Sequence, residues 1–310
     1  DAQPSNESRR YDEGQTTANI DTIFDYDEVG GILRAVEKCN GSGDCRKSAE
    51  AGGVMCPSYQ ATRNERDTTR ARANALREFL TRHQTEGVNA FNHPELKEVM
   101  DLCISCKGCT SECPSNVDMA SIKAEFQHQY YKANGIPLRS RLFAENATLN
   151  GMAAKVSGLS NWFYTNKLTS SVMKKMLGVH PKRSIPQVAK QTLRSWYKKQ
   201  YHLLSLPTQT KGKVHLFADD YTNLLDASIG IKAVELLVRL GYEVDLVDHV
   251  ESGRSHISKG LLDRAKHFAE RNVEIFAPLV SAEAPLIGVE PSAILSFRDE
   301  YPRMVDVVHR

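Results

Sequence analysis

Four cysteines fall in the run Cys103-Ile104-Ser105-Cys106-Lys107-Gly108-Cys109-Thr110-Ser111-Glu112-Cys113-Pro114. At this spacing, C-x2-C-x2-C-x3-C-P, three thiolates on a loop entering a helix converge on three irons of one [4Fe–4S] cube, while the fourth points elsewhere. A second cluster is therefore expected. A tetrathiolate zinc site and reduced core cysteines are the alternatives, but zinc prefers paired knuckles separated by a longer span.

The upstream cysteines supply partners for Cys113. Cys39 and Cys45 are the first and third members of a C-x2-C-x2-C run whose second position is Ser42. Cys56, followed by Pro57, is the counterpart of Cys113-Pro114. Reciprocal sharing assigns Cys56, Cys103, Cys106 and Cys109 to the first cluster, a [4Fe–4S] site, and Cys39, Cys45 and Cys113 to the second. The missing thiolate leaves two forms open for the second site: [3Fe–4S], or [4Fe–4S] with Ser42, Asp44 or water on the fourth iron. Gly41 and Gly43 suit a backbone lying close to cluster sulfides. Asp44 also reads as a turn residue.

These cysteines need elements to hold them. Asp27 to Lys38 predicts a helix delivering Cys39, with Ile32, Leu33 and Val36 on one face. Arg63 to Thr81 predicts a second, rich in Arg and Ala, and Pro94 to Met100 a third that ends at the main cysteine run. Met119 to Ala133 predicts a fourth, stopped by Asn134-Gly135-Ile136-Pro137. From Val214 the pattern alternates: strands at 214–218 and 242–247, a helix at 228–240, a helix at 259–271, a short strand or turn at 273–276 and a strand at 285–289. The fold class expected is α+β and multidomain: an all-α helical-ferredoxin-like domain followed by a small α/β parallel-sheet domain. The boundaries are a linker at 1–19, a di-cluster domain at 20–137, a basic helical connector at 138–213 and the α/β domain at 214–310.

The chain has 310 residues and a formal net charge of +2, which hides an asymmetry. Between Glu145 and Asp219 there is no carboxylate, while twelve Lys and Arg accumulate from Lys155 to Lys213. Such a segment is either a docking surface for an acidic protein, an anionic head group or a cofactor phosphate, or a connector laid over an acidic remainder. Nucleic acid is not indicated, since no aromatic-and-basic interleaving accompanies the charge. No run of about 18 apolar residues is present, so no transmembrane segment is expected. No signal sequence is read at the N-terminus. All seven cysteines lie within residues 39–113, which suits a metal cluster and not a disulfide framework. The location expected is cytoplasmic, with a peripheral position at the inner membrane face left open. A first residue of Asp and a helix-like end at 304–310 suggest a piece of a longer polypeptide. No G-x-G-x-x-G follows the first strand, so dinucleotide binding is not indicated.

The segments KCNGSGDCRK, MCPSYQATR, TRARANALREF, DLCISCKGCTSECPSNVDMA, KAEFQHQYY and GVEPSAILSFRDEYP resemble the C-terminal half of large FAD-linked oxidase and iron–sulfur fusion proteins of the D-2-hydroxyglutarate or D-lactate dehydrogenase type. That resemblance implies an FAD in the full-length protein, not bound by this chain alone, that oxidises a D-2-hydroxyacid in a domain absent here. It also implies electron transfer onward through the two clusters. The partners implied are a flavin domain of the same polypeptide or a flavoprotein subunit, and a downstream quinone, cytochrome or flavoprotein acceptor. The cysteine missing at Ser42 is similar to the arrangement in succinate dehydrogenase and fumarate reductase iron–sulfur subunits, which favours the three-iron form. The C-terminal segment is similar to the cysteine-rich domain of glycolate oxidase iron–sulfur subunits, with the thiolates lost: Glu251-Ser252-Gly253 and Glu290-Pro291-Ser292-Ala293 stand where that domain carries cysteines.

Three functions compete: an electron-transfer module, a structural metal-binding module, and an iron–sulfur redox sensor switched at Ser42. Three further sets of residues are candidates with ordinary surface roles as the alternative. Glu251, His249, His256 and Glu290 follow strand ends and suit an oxygen-and-nitrogen metal site, while Arg254 and Arg298 suit an anionic substrate. Arg63, Arg66, Arg70, Arg72 and Arg77 either offset cluster charge, contact a flavin domain or cover an exposed helix. Trp162 and Trp196 read as packing residues of the connector.

Overall fold

A computed structural model describes residues 20–82, 89, 91–205 and 210–306. The expected linker at 1–19 and the end of the helix-like 304–310 segment lie outside them. The chain divides into two compact units, residues 1–134 and 135–310. The described residues are mostly helical, with one small parallel sheet in the second unit, an α+β content.

The first unit is built from short helices. These are α1 (Ile32–Glu37), α2 (Pro57–Thr62), α3 (Thr69–Arg82), α4 (Pro94–Asp101), α5 (Gly108–Glu112) and α6 (Met119–Asn134). The helix expected from Asp27 is interrupted. A 3-10 turn at Asp27–Val29 ends at Gly30 and Gly31, whose φ values of 77° and 99° are left-handed, and α1 starts afresh at Ile32. The Arg-rich helix begins six residues later than expected. Arg63 is itself left-handed and closes α2, and the 3-10 turn Glu65–Asp67 intervenes before α3.

Helix α6 is the centre of this unit. Met119, Ile122, Ala124, Glu125, Phe126 and Tyr131 are all buried, so nearly its whole circumference faces protein. A carboxylate inside such a helix needs donors. Glu125 receives the backbone N–H groups of Ile23 and Phe24 at 3.1 and 3.2 Å and the Gln129 amide at 2.9 Å. Burial nevertheless raises its pKa.

The second unit opens with α7 (Leu138–Ala144), α8 (Asn146–Lys155), α9 (Ser157–Thr165), α10 (Lys167–Leu177) and α11 (Leu193–Gln200). It continues with β1 (Gly212–Phe217), α12 (Asp220–Leu224), α13 (Ala227–Arg239), β2 (Tyr242–Asp245), α14 (Arg254–Ser258), α15 (Leu262–Phe276), β3 (Leu286–Gly288), α16 (Pro291–Ile294) and α17 (Ser296–Asp299). Strand order is β2-β1-β3, all parallel, with Val214 opposite Val244 and Leu216 opposite Ile287. Alternation along β1 sends Val214 and Leu216 into a core with Leu193, Trp196, Val234 and Val238, and Phe217 into one with Phe276 and Ala293. Residues 273–276 are the last turn of α15, not a strand, because Ala265, Ala269, Asn272 and Phe276 continue one buried helical stripe. Trp196 packs as expected, whereas Trp162 is 53% exposed.

Gly230 shows how closely α13 is held. A Cβ there would lie 2.7 Å from Leu193 Cδ2 and 2.8 Å from Thr222 Cγ2. Gly230→Val is expected to destabilise the second unit by about 1–3 kcal/mol through overpacking. Thermal denaturation checks this, and the iron content is expected to stay unchanged because every cysteine lies in the first unit.

Candidate functional site

Cys56, Cys103, Cys106 and Cys109 line one small cavity, with Pro57, Ser58, Thr69, Arg72, Ser105, Lys107 and Met119 among the other lining residues. These are the four cysteines assigned to the first cluster. Backbone strain concentrates at the same place. Five non-glycine residues among those described have positive φ, and three of them, Cys56 (58°), Ser105 (54°) and Lys107 (62°), line this cavity. Left-handed residues at every second position of a loop turn successive N–H groups to one side, the arrangement that receives anions, and such outliers persist where surrounding structure enforces them.

The two cysteine segments are tied together by Glu112. Its carboxylate accepts the N–H groups of Val54 at 2.7 Å and Met55 at 2.9 Å, which hold its pKa below the ordinary carboxylate value. At the other end of α5, Gly108 meets Val54 and Met55 so closely that a Cβ would lie 3.2 Å from Val54 Cγ2. Cys56 is thereby held beside Cys109. Cys109 is buried, and loss of water raises its thiol pKa to about 12. An iron bound there would displace a proton, as thiolate ligation requires.

Two buried cations flank the cavity. Arg72, 1% exposed, donates from Nη1 to the Asp67 carbonyl at 2.7 Å and Ser58 Oγ at 3.2 Å, and from Nε to the Val99 carbonyl at 3.0 Å. Nη1 also lies 3.8 Å from Cys56 Sγ, and Nη2 is buried without a hydrogen-bond partner. Lys123 donates to the backbone carbonyls of Cys103 and Asp101. Four thiol groups, left-handed backbone at three lining residues, buried positive charge and an unsatisfied donor suit an anionic, sulfide-bearing cluster. Of the other arginines of the series, Arg63 pairs with Glu50, Arg66 with Glu98 and Arg70 with Glu65, while the half-buried Arg77 donates to Asn74 Oδ1.

Cys39 and Cys45 flank a loop whose Gly41 and Gly43 have φ of 80° and 83°. The guanidinium of Arg70 stands beside this loop, 3.4 Å from the Gly41 carbonyl. Cys45 is buried, which raises its pKa. Ser42 is exposed, and the Asp44 carboxylate is engaged by Lys47 at 2.9 Å and by Ser42, which lower its pKa. Cys113 is buried at the end of α5. Its neighbour Glu112 feels the Lys47 ammonium, which follows Cys45 in the chain.

In the second unit the suggested set His249, Glu251, His256 and Glu290 is divided. Both nitrogens of His249 are used: Nε2 accepts the Ala218 N–H at 3.0 Å, and Nδ1 meets the Val250 carbonyl at 2.7 Å. Burial and Arg194 bring its pKa down to about 4. Glu290 caps α16 through Ala293 N–H at 2.6 Å. Glu251 and His256 do come together, with Glu145 as third member. Glu145 was missed, although it is the last carboxylate before the carboxylate-free stretch. Burial, with Asp220 and Glu145 nearby, raises the Glu251 pKa to about 7, and burial with Asp219 raises Asp220 to about 6. Arg254 is bound to Glu300 at 2.9 Å, and Arg298 is exposed and paired with Asp299. The structure gathers neither of these arginines into a substrate pocket.

Residues 38–118 match the 4Fe-4S dicluster domain, a segment that contains all seven cysteines. The chain is similar to D-2-hydroxyglutarate dehydrogenase of Haemophilus influenzae, 29% identical over 89% of this chain, and to that of Escherichia coli K12, 27% identical over 86%. It is also similar to a subunit of the anaerobic glycerol-3-phosphate dehydrogenase of Escherichia coli K12, 24% identical over 63% of this chain and 48% of that protein. The chain spans about 30% of the length of the two D-2-hydroxyglutarate dehydrogenases. No solved structure matches it significantly.

Replacing Glu112 with Gln removes the negative charge that holds Val54 and Met55. The expected outcome is faster loss of iron to a chelator than in the parent protein, followed as bleaching of the visible absorbance. An unchanged rate would mean that Gly108 packing alone fixes the two segments.

Proposed function

We propose that this chain is the electron-transfer module of an FAD-dependent D-2-hydroxyacid dehydrogenase, an oxidoreductase acting on a CH–OH group such as that of 2-hydroxyglutarate or lactate. It takes electrons from a flavin on a domain or subunit outside the chain and delivers them to a quinone, cytochrome or flavoprotein acceptor. The observation that carries this reading is the cavity where Cys56, Cys103, Cys106 and Cys109 meet three left-handed residues and buried Arg72. The similarity to D-2-hydroxyglutarate dehydrogenases supports the hydroxyacid. On this reading residues 20–137 are a helical ferredoxin-like domain holding two clusters, and residues 138–213 connect it to the α/β domain at 214–310.

Iron–sulfur clusters supply one-electron transfer at potentials set by charge, hydrogen bonding and burial. The chain's own residues govern those quantities. Cys56, Cys103, Cys106 and Cys109 hold the first cluster, and Arg72 and Lys123 offset its negative charge. Cys39, Cys45 and Cys113 hold the second, with Ser42 at the position of the missing thiolate and Arg70 beside the loop.

Anaerobic protein is expected to contain about seven or eight irons per chain with matching sulfide and to show a three-iron EPR signal as purified. Ser42→Cys is expected to abolish that signal. Zinc without sulfide would sink the reading, and failure to accept electrons from the flavin partner would favour a sensor or a structural module.

A peripheral position at the inner membrane face is part of the proposal. No helix among the described residues is long and apolar enough to cross a membrane. Helices α8 to α10 nevertheless expose Met152, Leu159, Trp162, Leu168, Val172 and Met176 in the stretch that carries lysines and no carboxylate. Apolar side chains beside lysines suit an anionic bilayer surface. Cosedimentation with anionic vesicles is expected, weakened by Met176→Asp and by salt. Equal binding to neutral vesicles would remove the electrostatic part of this reading.

A further inference from the structure

The electron-transfer reading leaves a buried group in the α/β unit without a task. Glu145 lies between α7 and α8, Glu251 in the loop after β2, and His256 in α14. One donor atom from each lies within 4.8 Å of the others, and among the described residues no other set of three His, Cys, Asp or Glu donors comes as close. The three residues arrive from separate parts of the chain, so no local turn explains their meeting. Glu251 follows β2, whose end belongs to the C-terminal edge of the parallel sheet, the edge at which open α/β sheets receive ligands.

The independent observation is the state of the imidazole. His256 is 0% exposed, yet neither Nδ1 nor Nε2 has a hydrogen-bond partner. Nε2 stands 3.7 Å from Glu145 Oε1, and Nδ1 stands 3.9 Å from Glu251 Oε2. Both separations are too long for hydrogen bonds. Buried ring nitrogens are ordinarily satisfied, so carboxylates that stop short of them leave room for something between. Donors bound tetrahedrally to a metal at about 2.1 Å lie about 3.4 Å apart. The Glu145 and Glu251 oxygens face different ring nitrogens and a metal takes only one of these, so from a spread of up to 4.8 Å the three donors must close by as much as about 1.4 Å.

Charge points the same way. Carboxylates Glu145, Asp220 and Glu251 influence one another in this region, and the cation set against them is Arg264, whose Nη1 lies 3.0 Å from Glu145 Oε1. The oxygen that Arg264 holds, Oε1, is also the one nearer His256, so a metal either shares Oε1 with the guanidinium or takes Oε2 after the carboxylate turns.

We propose that Glu145, Glu251 and His256 form a binding site for one divalent transition-metal cation. One imidazole and two carboxylates suit borderline cations such as Zn²⁺, Mn²⁺ or Fe²⁺, while the lack of thiolate disfavours Cu⁺. Three protein donors leave at least one coordination position for water or an anionic ligand, the pattern of an open site and not of a closed structural one. The site contains no cysteine and stands apart from the cluster assignment.

The test uses the full chain, purified anaerobically with its clusters in place, and Mn²⁺ as the probe, because Mn²⁺ prefers oxygen and nitrogen donors over thiolates. Loss of the EPR signal of free Mn²⁺ measures uptake, and competition by Zn²⁺ measures the shared site. One equivalent is expected to bind to the parent protein, with affinity falling at least about tenfold in Glu251→Gln and in His256→Gln, the smallest loss usual when a metal's supporting groups are removed. His256 is fully buried, so its variant is read beside Glu145→Gln, a change at a partly exposed side chain that is expected to give the same loss. Iron, sulfide and circular dichroism are expected to match the parent in all three. Absence of Mn²⁺ and Zn²⁺ uptake by the parent, or uptake unaltered by all three changes, would overturn the proposal.

Discussion

The first unit depends on holding two cysteine segments, nearly fifty residues apart in sequence, around one small cavity. The carboxylate of Glu112 does much of this. An ionised side chain that accepts two backbone N–H groups makes stronger bonds than a neutral one, and here both donors belong to the residues just before Cys56. Gly108 then lets α5 approach the same backbone where any larger residue would push it away. The left-handed turn at Cys56 comes directly after these contacts. A cysteine at φ 58° is unfavourable by itself and persists because its neighbours on both sides are fixed.

Electrostatics explains a second feature, the burial of Arg72 and Lys123. A guanidinium at 1% exposure is normally satisfied on every donor, yet Nη2 of Arg72 has no partner among the protein groups around it. Its other nitrogens are fixed by the carbonyls of Asp67 and Val99, so the side chain cannot swing out to water. A cation placed so firmly beside four thiol groups stabilises negative charge there. The same charge shifts a cluster toward higher reduction potential, since reduction adds an electron.

How much of this was legible varies with the kind of signal. Cysteine spacing carried the assignment of Cys56 to the Cys103–Cys109 group, and those four side chains line one cavity. Periodicity carried α4, α6, α13 and the three strands to within a few residues. It misled at residues 273–276, where Val273, Ile275 and Phe276 look like a strand by composition, while the helical stripe from Leu262 decides the outcome. Gly30-Gly31 read as part of a helix because acidic residues preceded it and apolar ones followed, but two consecutive left-handed residues cannot continue an α-helix. Glu112 and Arg72 gave no signal of their roles. A carboxylate next to a cysteine, or one arginine among five, is defined only by what tertiary packing brings to it.

The α/β unit shows the same limit in its charges. His249, Glu251, His256 and Glu290 are alike as sequence features, each following the end of a strand. Folding separates them by partners. His249 is consumed by the Ala218 N–H and the Val250 carbonyl, and Glu290 by the first turn of α16. His256 stays unsatisfied on both ring nitrogens and, with Glu251, comes near a carboxylate from more than a hundred residues upstream. What distinguishes a ligand from a structural polar residue here is whether the backbone has already claimed its lone pairs. Hydrogen-bond accounting decides that, and residue type does not.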